Sequence, residues 1–406
     1  MNCTVDSGDS GIYVYDVDYA EVINNTIFNT VVGISYDLCD LSYIYNNTIS
    51  GGFRGVFIED SYLAYVKFNH IFNNSQEGIL AQNCDEIVIQ YNTCNDNLDG
   101  IHIYSCFNPY VGYNYCSDNK NRGIYVRYSD YARIGGNNFH ACGLGVYDSV
   151  LDDLLTVQVT TNYIDGILIY YAENLTSSLI TTDYSQIILV NCSDVQIWNQ
   201  DLLSESLYVA VYLAFCDSIT IKNCLFENCH YGLASITCDN IYVENNFFYD
   251  CLVGIVADTT FKGIITVNDF YNNSFGIYFL NHVDNFTIIL NHFELHSSYA
   301  ITLEVSDYNV IYHNNFLYSG ALSYGFDSGQ YNYWYNATLY EGNYWSNYVG
   351  SGIYSIDGSA YSNDLYPLNA PVNIPFVPEF AFSNWFVLIF LLLIPASTVY
   401  VLKKMR

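Results

Sequence analysis

The chain has 406 residues, of which 51% are hydrophobic and 13% charged. That balance excludes a disordered acidic polymer and leaves room for two or three ordinary domains or one long array of repeats. Eleven basic residues stand against 41 acidic ones, and three of the eleven fall in the last four positions, which excludes a nucleic-acid backbone as partner because clustered Lys and Arg supply most of that affinity.

From the N-terminus onward the sequence repeats. A small residue precedes an aliphatic one at Gly11, Gly33, Gly55, Gly78, Gly100, Gly123, Gly145 and Gly166. Gln186 and Ala210 then stand in the glycine column, followed by Gly232, Gly254, Gly276 and Ala300. Neighbouring starts lie 20 to 24 residues apart, and the next position is aliphatic in every unit, from Ile12 and Ile34 to Ile167 and Ile301. Within a unit such as GLASITCDNIYVENNFF (232–248) apolar residues alternate with polar ones, while Gly, Asn and Asp punctuate. A period of two predicts short strands joined by tight turns, not helices.

One unit of this kind cannot bury its apolar face, whereas stacked units can, by pairing each strand with its copy in the next turn. The expected fold is all-β: a single-stranded parallel β-helix of about 14 rungs, roughly 65 Å long at the spacing of paired strands. A leucine-rich repeat would want Leu at fixed spacing and a helical return, and neither appears.

Further columns run through the repeat. Asn25, Asn47, Asn92, Asn114, Asn246 and Asn315 form an expected side-chain ladder, because Asn tolerates the left-handed turn conformation and stacked amides bond one another. Cys39, Cys84, Cys106, Cys192, Cys216 and Cys238 all lie six residues past a unit start, where other units carry Ser61, Ser129 and Ser306. The slot wants a small residue at a turn. Cys84 then stacks on Cys106, Cys216 on Cys238, and Cys94 on Cys116. Side chains on stacked strands run parallel, which favours free buried thiols over disulfides, and a line of sulfurs is not a tetrahedral metal site.

Beyond the repeats the character changes. Residues 1–330 are expected to be the β-helix, with a truncated N-terminus because MNCTVDSGDSGIYV lacks the features of a signal peptide. Residues 331–370 form an aromatic capping segment and 371–384 a linker. Residues 385–402, WFVLIFLLLIPASTVYVL, carry no charge and precede Lys403, Lys404 and Arg406. A transmembrane anchor over 385–406 with a basic cytoplasmic tail is expected, the bulk of the chain lying outside the cell.

The pattern G-I-x-V-x-x-[SC]-x-x-x-I-x-[IV]-x-N-N-x-F, over residues 11 to about 330, resembles the right-handed parallel β-helix superfamily, in the form shared by NosD-like proteins and sugar-hydrolase modules of pectin-lyase-like fold. NYWYNATLYEGNYWSNYVGSG (332–352), ending at DLYPL (364–368), is similar to the end of NosD-like archaeal repeat proteins, with the acidic loop shortened to SIDGSAYSND. Pro378, Glu379 and Phe380 resemble an archaeal C-terminal sorting signal of the PEF type. The resemblance implies a right-handed helix at the cell surface. The superfamily holds binding rods, polysaccharide lyases and hydrolases alike, so the fold does not choose the chemistry.

Residues bearing chemistry are sparse. Lys120, Arg122, Arg127 and Arg133 form the one basic cluster, and Arg122 and Arg127 are candidates to clasp a carboxylate. His282, His292, His296 and His313 lie in successive turns, without the tight spacing of a metal motif. No catalytic or metal residue is assigned and no cofactor expected, Ca²⁺ being the one cation the acidic composition would suit. Nine Asn-x-Ser/Thr sequons fit an exterior glycoprotein. The expected function is a non-catalytic surface module that binds a carbohydrate or cell-surface protein through its many tyrosines. A polysaccharide lyase or glycoside hydrolase is the alternative, and a copper-related accessory protein, implied by the resemblance, is the third.

Overall fold

The computed structural model describes residues 3–318 and 324–374, without the side chains of 204–206. These residues form a right-handed β-solenoid of about 14 turns. Each turn has three faces. In one turn Ile79–Gln82 supplies the first face, Val88–Gln90 the second and Thr93–Asn95 the third. Within the stacks each strand pairs in parallel with its copy, as in Ile79↔Ile101, Ile89↔Val111 and Cys94↔Cys116.

Alternation puts every second residue inside. Ile34, Val56, Ile79, Ile101 and Ile124 on the first face are fully buried, as are Val66, Ile89 and Val111 on the second. Corners between faces sit in the left-handed region, with φ of 59° at Asn24, 53° at Asn46 and 55° at Asn245. The glycine column reflects close approach: a Cβ on Gly33 would stand 2.5 Å from the Gly55 carbonyl oxygen and strike the Ile49 Cγ2.

Among the described residues the stack is interrupted once. After Leu144–Tyr147 the chain makes a single helical turn, Leu151–Leu154, then runs through Tyr163–Ile164 into a hairpin at Gly166. Tyr163–Ile164 pairs antiparallel with Ile167–Glu173, which starts a second stack by pairing in parallel with Gln186–Val190. Two expected unit starts therefore shift. Leu144, not Val146, continues the column from Ile124, and Tyr170, not Ile167, is the partner of Ile187. The interruption absorbs residues that a uniform repeat had assigned to regular turns.

At the C-terminal end Trp345 lies on Phe316 with ring centroids 4.2 Å apart, and Tyr354 lies on Trp345 at 4.0 Å. Two buried carboxylates tie this segment together. Asp364 accepts from Asn343 N at 2.7 Å and Trp345 Nε1 at 2.9 Å, and Asp327 from Trp334 Nε1 at 3.1 Å and Ser362 Oγ at 2.7 Å. The expected span 385–402, the Pro378–Glu379–Phe380 motif and Lys403, Lys404 and Arg406 lie outside the described residues. Among the described residues no helix is long and apolar enough to cross a membrane.

Candidate functional site: an aromatic cleft at the seam of two stacks

The seam follows from one substitution in the glycine column. Leu144–Tyr147 pairs with Arg122–Arg127 on its N-terminal side. On its other side the buried amide of Gln186 takes over. Its Oε1 accepts from Leu144 N at 3.1 Å, and its Nε2 donates to the carbonyls of Leu144 at 2.8 Å and Val209 at 2.9 Å. A side chain thus replaces a backbone rung, and a cleft of about 240 Å³ opens beside it. Arg122, Tyr125 and Tyr147 line it from the first stack, and Tyr208, Tyr212, Tyr231 and Asp258 from the second.

Arg122 joins the two walls. Its guanidinium lies 3.7 Å from the Tyr125 ring centroid and 3.9 Å from that of Tyr208, one ring from each stack. Its Nη1 reaches Asp99 Oδ2 at 3.5 Å, while its backbone N–H donates to Asp99 Oδ1 at 3.0 Å. Burial still pushes the Asp99 carboxyl up, despite that cation. His230, edge-on to Tyr208 at 5.6 Å, is pushed down by burial and by Arg122, so its imidazole is neutral at pH 7. The Tyr212 hydroxyl is buried and has no hydrogen-bond partner among the described residues. Such an orphan costs about 1–3 kcal/mol unless something in the cleft accepts or donates to it.

A polar string leads to the cleft along the outer first face. Arg54 Nε meets Glu77 Oε2 at 2.7 Å, Glu77 Oε1 lies 3.7 Å from His102 Nδ1, and the His102 ring stacks on Tyr125 at 4.8 Å. Burial opposes ionisation of Glu77, yet His102 and Arg54 outweigh it and hold the carboxyl at about 2. Aromatic walls, one cation, one carboxylate and an unpartnered hydroxyl make a site that can stack on a sugar ring and hydrogen-bond its hydroxyls.

The columns expected from sequence lie away from this cleft. Asn47 Oδ1 accepts from Asn25 N at 2.9 Å and Asn25 Nδ2 at 3.0 Å. The same pair of bonds links Asn47 to Asn69, Asn92 to Asn114 and Asn246 to Asn268. Asn314, not Asn315, occupies the ladder near its end, donating to Asn343 Oδ1. Asn315 starts the following strand and bonds Val372 instead. The cysteine slot is a ladder too: Cys84 N donates to Cys106 Sγ at 3.4 Å, Cys106 N to Ser129 Oγ at 3.0 Å and Cys216 N to Cys238 Sγ at 3.4 Å. Cys and Ser alternate there because each places one acceptor atom under the N–H of the turn before. All thirteen cysteines are free thiols, and only Cys3 is exposed.

Of the basic cluster, Arg122 reaches the cleft, whereas Arg127 stacks on Tyr128 at 4.6 Å and Arg133 on Tyr110 at 5.5 Å. The histidines do not converge: His313 pairs with Glu341 at 2.7 Å, and His296 is buried against the Asn273 carbonyl. Among the described residues no three His, Cys, Asp or Glu side chains are gathered to hold a metal. The hydrogen bond with Cys106 and burial push the Cys84 thiol well up, and burial beside Cys94 does the same to Cys116. These donors do not fit copper, which takes thiolates or imidazoles that converge. Sequence reasoning missed Tyr208, Tyr212 and the Gln186 bridge; the visible signal was a Gln standing in a glycine column.

Residues 1–166 and 152–350 each match the family model described as periplasmic copper-binding protein (NosD). No curated protein matches the chain in sequence. Among solved structures, the surface adhesin PfbA of Streptococcus pneumoniae is similar over 85% of this chain and 91% of its own, at 12% identity and a TM-score of 0.29. The A-module of the mannuronan C-5 epimerase AlgE4 of Azotobacter vinelandii matches 84% of this chain and 80% of its own, at 14% identity and a TM-score of 0.26. The catalytic unit of a GH87 α-1,3-glucanase from Streptomyces thermodiastaticus matches 90% and 64%, at 11% identity and a TM-score of 0.25. Likenesses of this degree carry no functional weight.

Proposed function

This chain belongs to the NosD family, and we propose that it works as a non-catalytic binding β-helix of the cell surface that takes a glycan into the seam cleft. The observation that carries this is the buried, unpartnered Tyr212 hydroxyl in a cleft walled by tyrosines from both stacks. Anchoring through residues 385–402, with Lys403, Lys404 and Arg406 on the cytoplasmic side, rests on the sequence. The copper role in the family's description gains no support from the described donors.

A glycan array on the full chain, followed by calorimetry, tests the proposal. Tyr212→Phe should weaken binding about tenfold, the loss of one buried hydrogen bond. Absence of any retained glycan, or equal affinity of Tyr212→Phe, would leave an inert rod instead.

An enzyme on the same scaffold is favoured by one observation. Glu77 and Asp99 lie one turn apart with their carboxyls displaced in opposite directions, the arrangement that separates a general base from a general acid. Release of reducing ends or unsaturated sugars by the wild type, lost in Asp99→Asn, would assign catalysis to this carboxylate pair next to Arg122.

A further inference from the structure

We infer that the outer side of the second and third faces in the first stack is a track for a neutral, linear glycan, independent of the seam cleft. Five successive turns contribute eight residues each: 43–50, 65–72, 88–95, 110–117 and 133–140. None of the five segments contains Asp or Glu, in a chain with 41 acidic residues. The matching segments of the second stack are not so cleared, carrying Glu227, Glu244, Asp269 and Glu294 in successive turns.

Exposed aromatic rings fill the cleared surface. Phe68, Tyr91 and Tyr113 occupy the same corner of three consecutive turns, 46%, 46% and 52% exposed. Their rings stack along the rod at 5.0 and 5.2 Å, and Tyr43 stacks on Tyr65 at 4.8 Å beside them. The corner is left-handed, with φ of 57°, 57° and 58°. Other turns place Asn24, Asn46, Asn199, Asn223 and Asn245 there, the residue type that tolerates this conformation, and three later turns place Val267, Leu290 and His313. Gly136 in the next turn leaves room for the last ring, since a Cβ on it would lie 2.8 Å from Tyr113 Cδ1. Three consecutive turns thus hold stacked rings in water at a corner that Asn fills elsewhere, an arrangement that core packing does not ask for.

The chemistry of the surface names its partner. Stacking consumes the ring faces, so the outward rim is ring edges and phenol groups, interleaved with Thr48, Gln90, Thr93 and Asn95. Such a rim meets the C–H and hydroxyl groups of sugars. The only Lys or Arg side chains on it are Lys67, 4.9 Å over Tyr65, and Arg133, 5.5 Å over Tyr110. A molecule with a net charge of −30 repels a polyanion, so the partner is uncharged. A repeat of 4.8 to 5.2 Å along the axis, close to one sugar unit of an extended chain, suits a linear polymer lying lengthwise.

The test uses the full chain, soluble glucomannan and hydroxyethylcellulose as neutral polymers, polymannuronate as the charged one, and affinity electrophoresis. The triple variant Phe68→Asn, Tyr91→Asn, Tyr113→Asn gives these corners the residue found at positions 24, 46, 199, 223 and 245. It should bind the neutral polymers at least tenfold more weakly while melting at the same or a higher temperature, and Tyr308→Asn, which removes an exposed corner ring of the second stack, should bind them as the wild type does. Undiminished binding by the triple variant overturns the inference. So does a melting temperature that falls along with binding, a preference for polymannuronate, or ring-dependent self-association without polymer binding.

Discussion

The two stacks fill the same inward slot of the third face differently. In the first the slot holds Ile27, Ile49, Ile71, Cys94, Cys116 and Phe139 in register; in the second, Leu202, Phe226, Phe248, Phe270, Phe293, Phe316 and Trp345. From Phe226 to Trp345 the rings lie parallel, 4.2 to 5.0 Å apart. One backbone accepts both fillings because the glycine column keeps a gap open: a Cβ on Gly232 would stand 2.8 Å from Phe248 Cδ1, as one on Gly33 would strike Ile49. The outer side varies independently. Five successive turns of the first stack are cleared of carboxylates where four successive turns of the second carry one each, since alternate residues on a strand answer to different surroundings.

The largest expected effect breaks the aromatic column. Phe270→Ala removes a fully buried ring that lies 4.8 Å from each neighbour, and should cost about 3–5 kcal/mol. Ile71→Val, in the same slot of the first stack, should cost about 0.5–1.5 kcal/mol. Urea midpoints at constant m-value compare the two; equal losses would mean the ring stack adds nothing to the second half. Next comes the ladder shared by both stacks. Asn92→Ala strips the acceptor from two donors of Asn69 and should cost about 1–3 kcal/mol, with faster amide exchange in the turns on either side. Asn268→Ala should behave alike, because it strips the acceptor from the same two donors of Asn246.

A smaller effect separates the stacks by pH. Glu77 in the first stack titrates at about 2, below its ordinary 4.5. Its contribution to stability is therefore complete above pH 4.5 and is lost as pH falls towards 2. Glu77→Gln should flatten the acid limb of the melting temperature between those values, and an unchanged limb would show that its ion pairs contribute nothing. The smallest effect concerns the thiols. Cys84→Ser should change stability by less than about 1 kcal/mol, since Ser61 and Ser129 already hold that slot and keep the same hydrogen bond. In the native protein only Cys3 should react quickly with a thiol reagent, and all thirteen after unfolding.

Much of the solenoid is legible in the sequence because its interactions are local in the repeat. The aliphatic column, the amide ladder and the Cys/Ser slot each recur every turn, so a residue's inward or corner position follows from its place in the unit. Legibility fails where the period fails. Val146 and Ile167 were placed by counting, and the structure moves the column to Leu144 and Tyr170 because the segment between the stacks obeys its own geometry. Asn315 was off by one for a related reason: two adjacent asparagines look equivalent until the register of the strands selects Asn314.

The sequence by itself determined the fold class, the turn count and the burial of the columns, since a period of two with a conserved turn length admits one way to bury the apolar residues. Tertiary structure alone decided the cleft. Arg122, Tyr125, Tyr208 and Tyr212 belong to turns separated by the interruption, and no local pattern brings them together. They meet because on the first face the Gln186 amide, not a backbone strand, joins the stacks, and a side chain that bridges at one point leaves the seam beside it open.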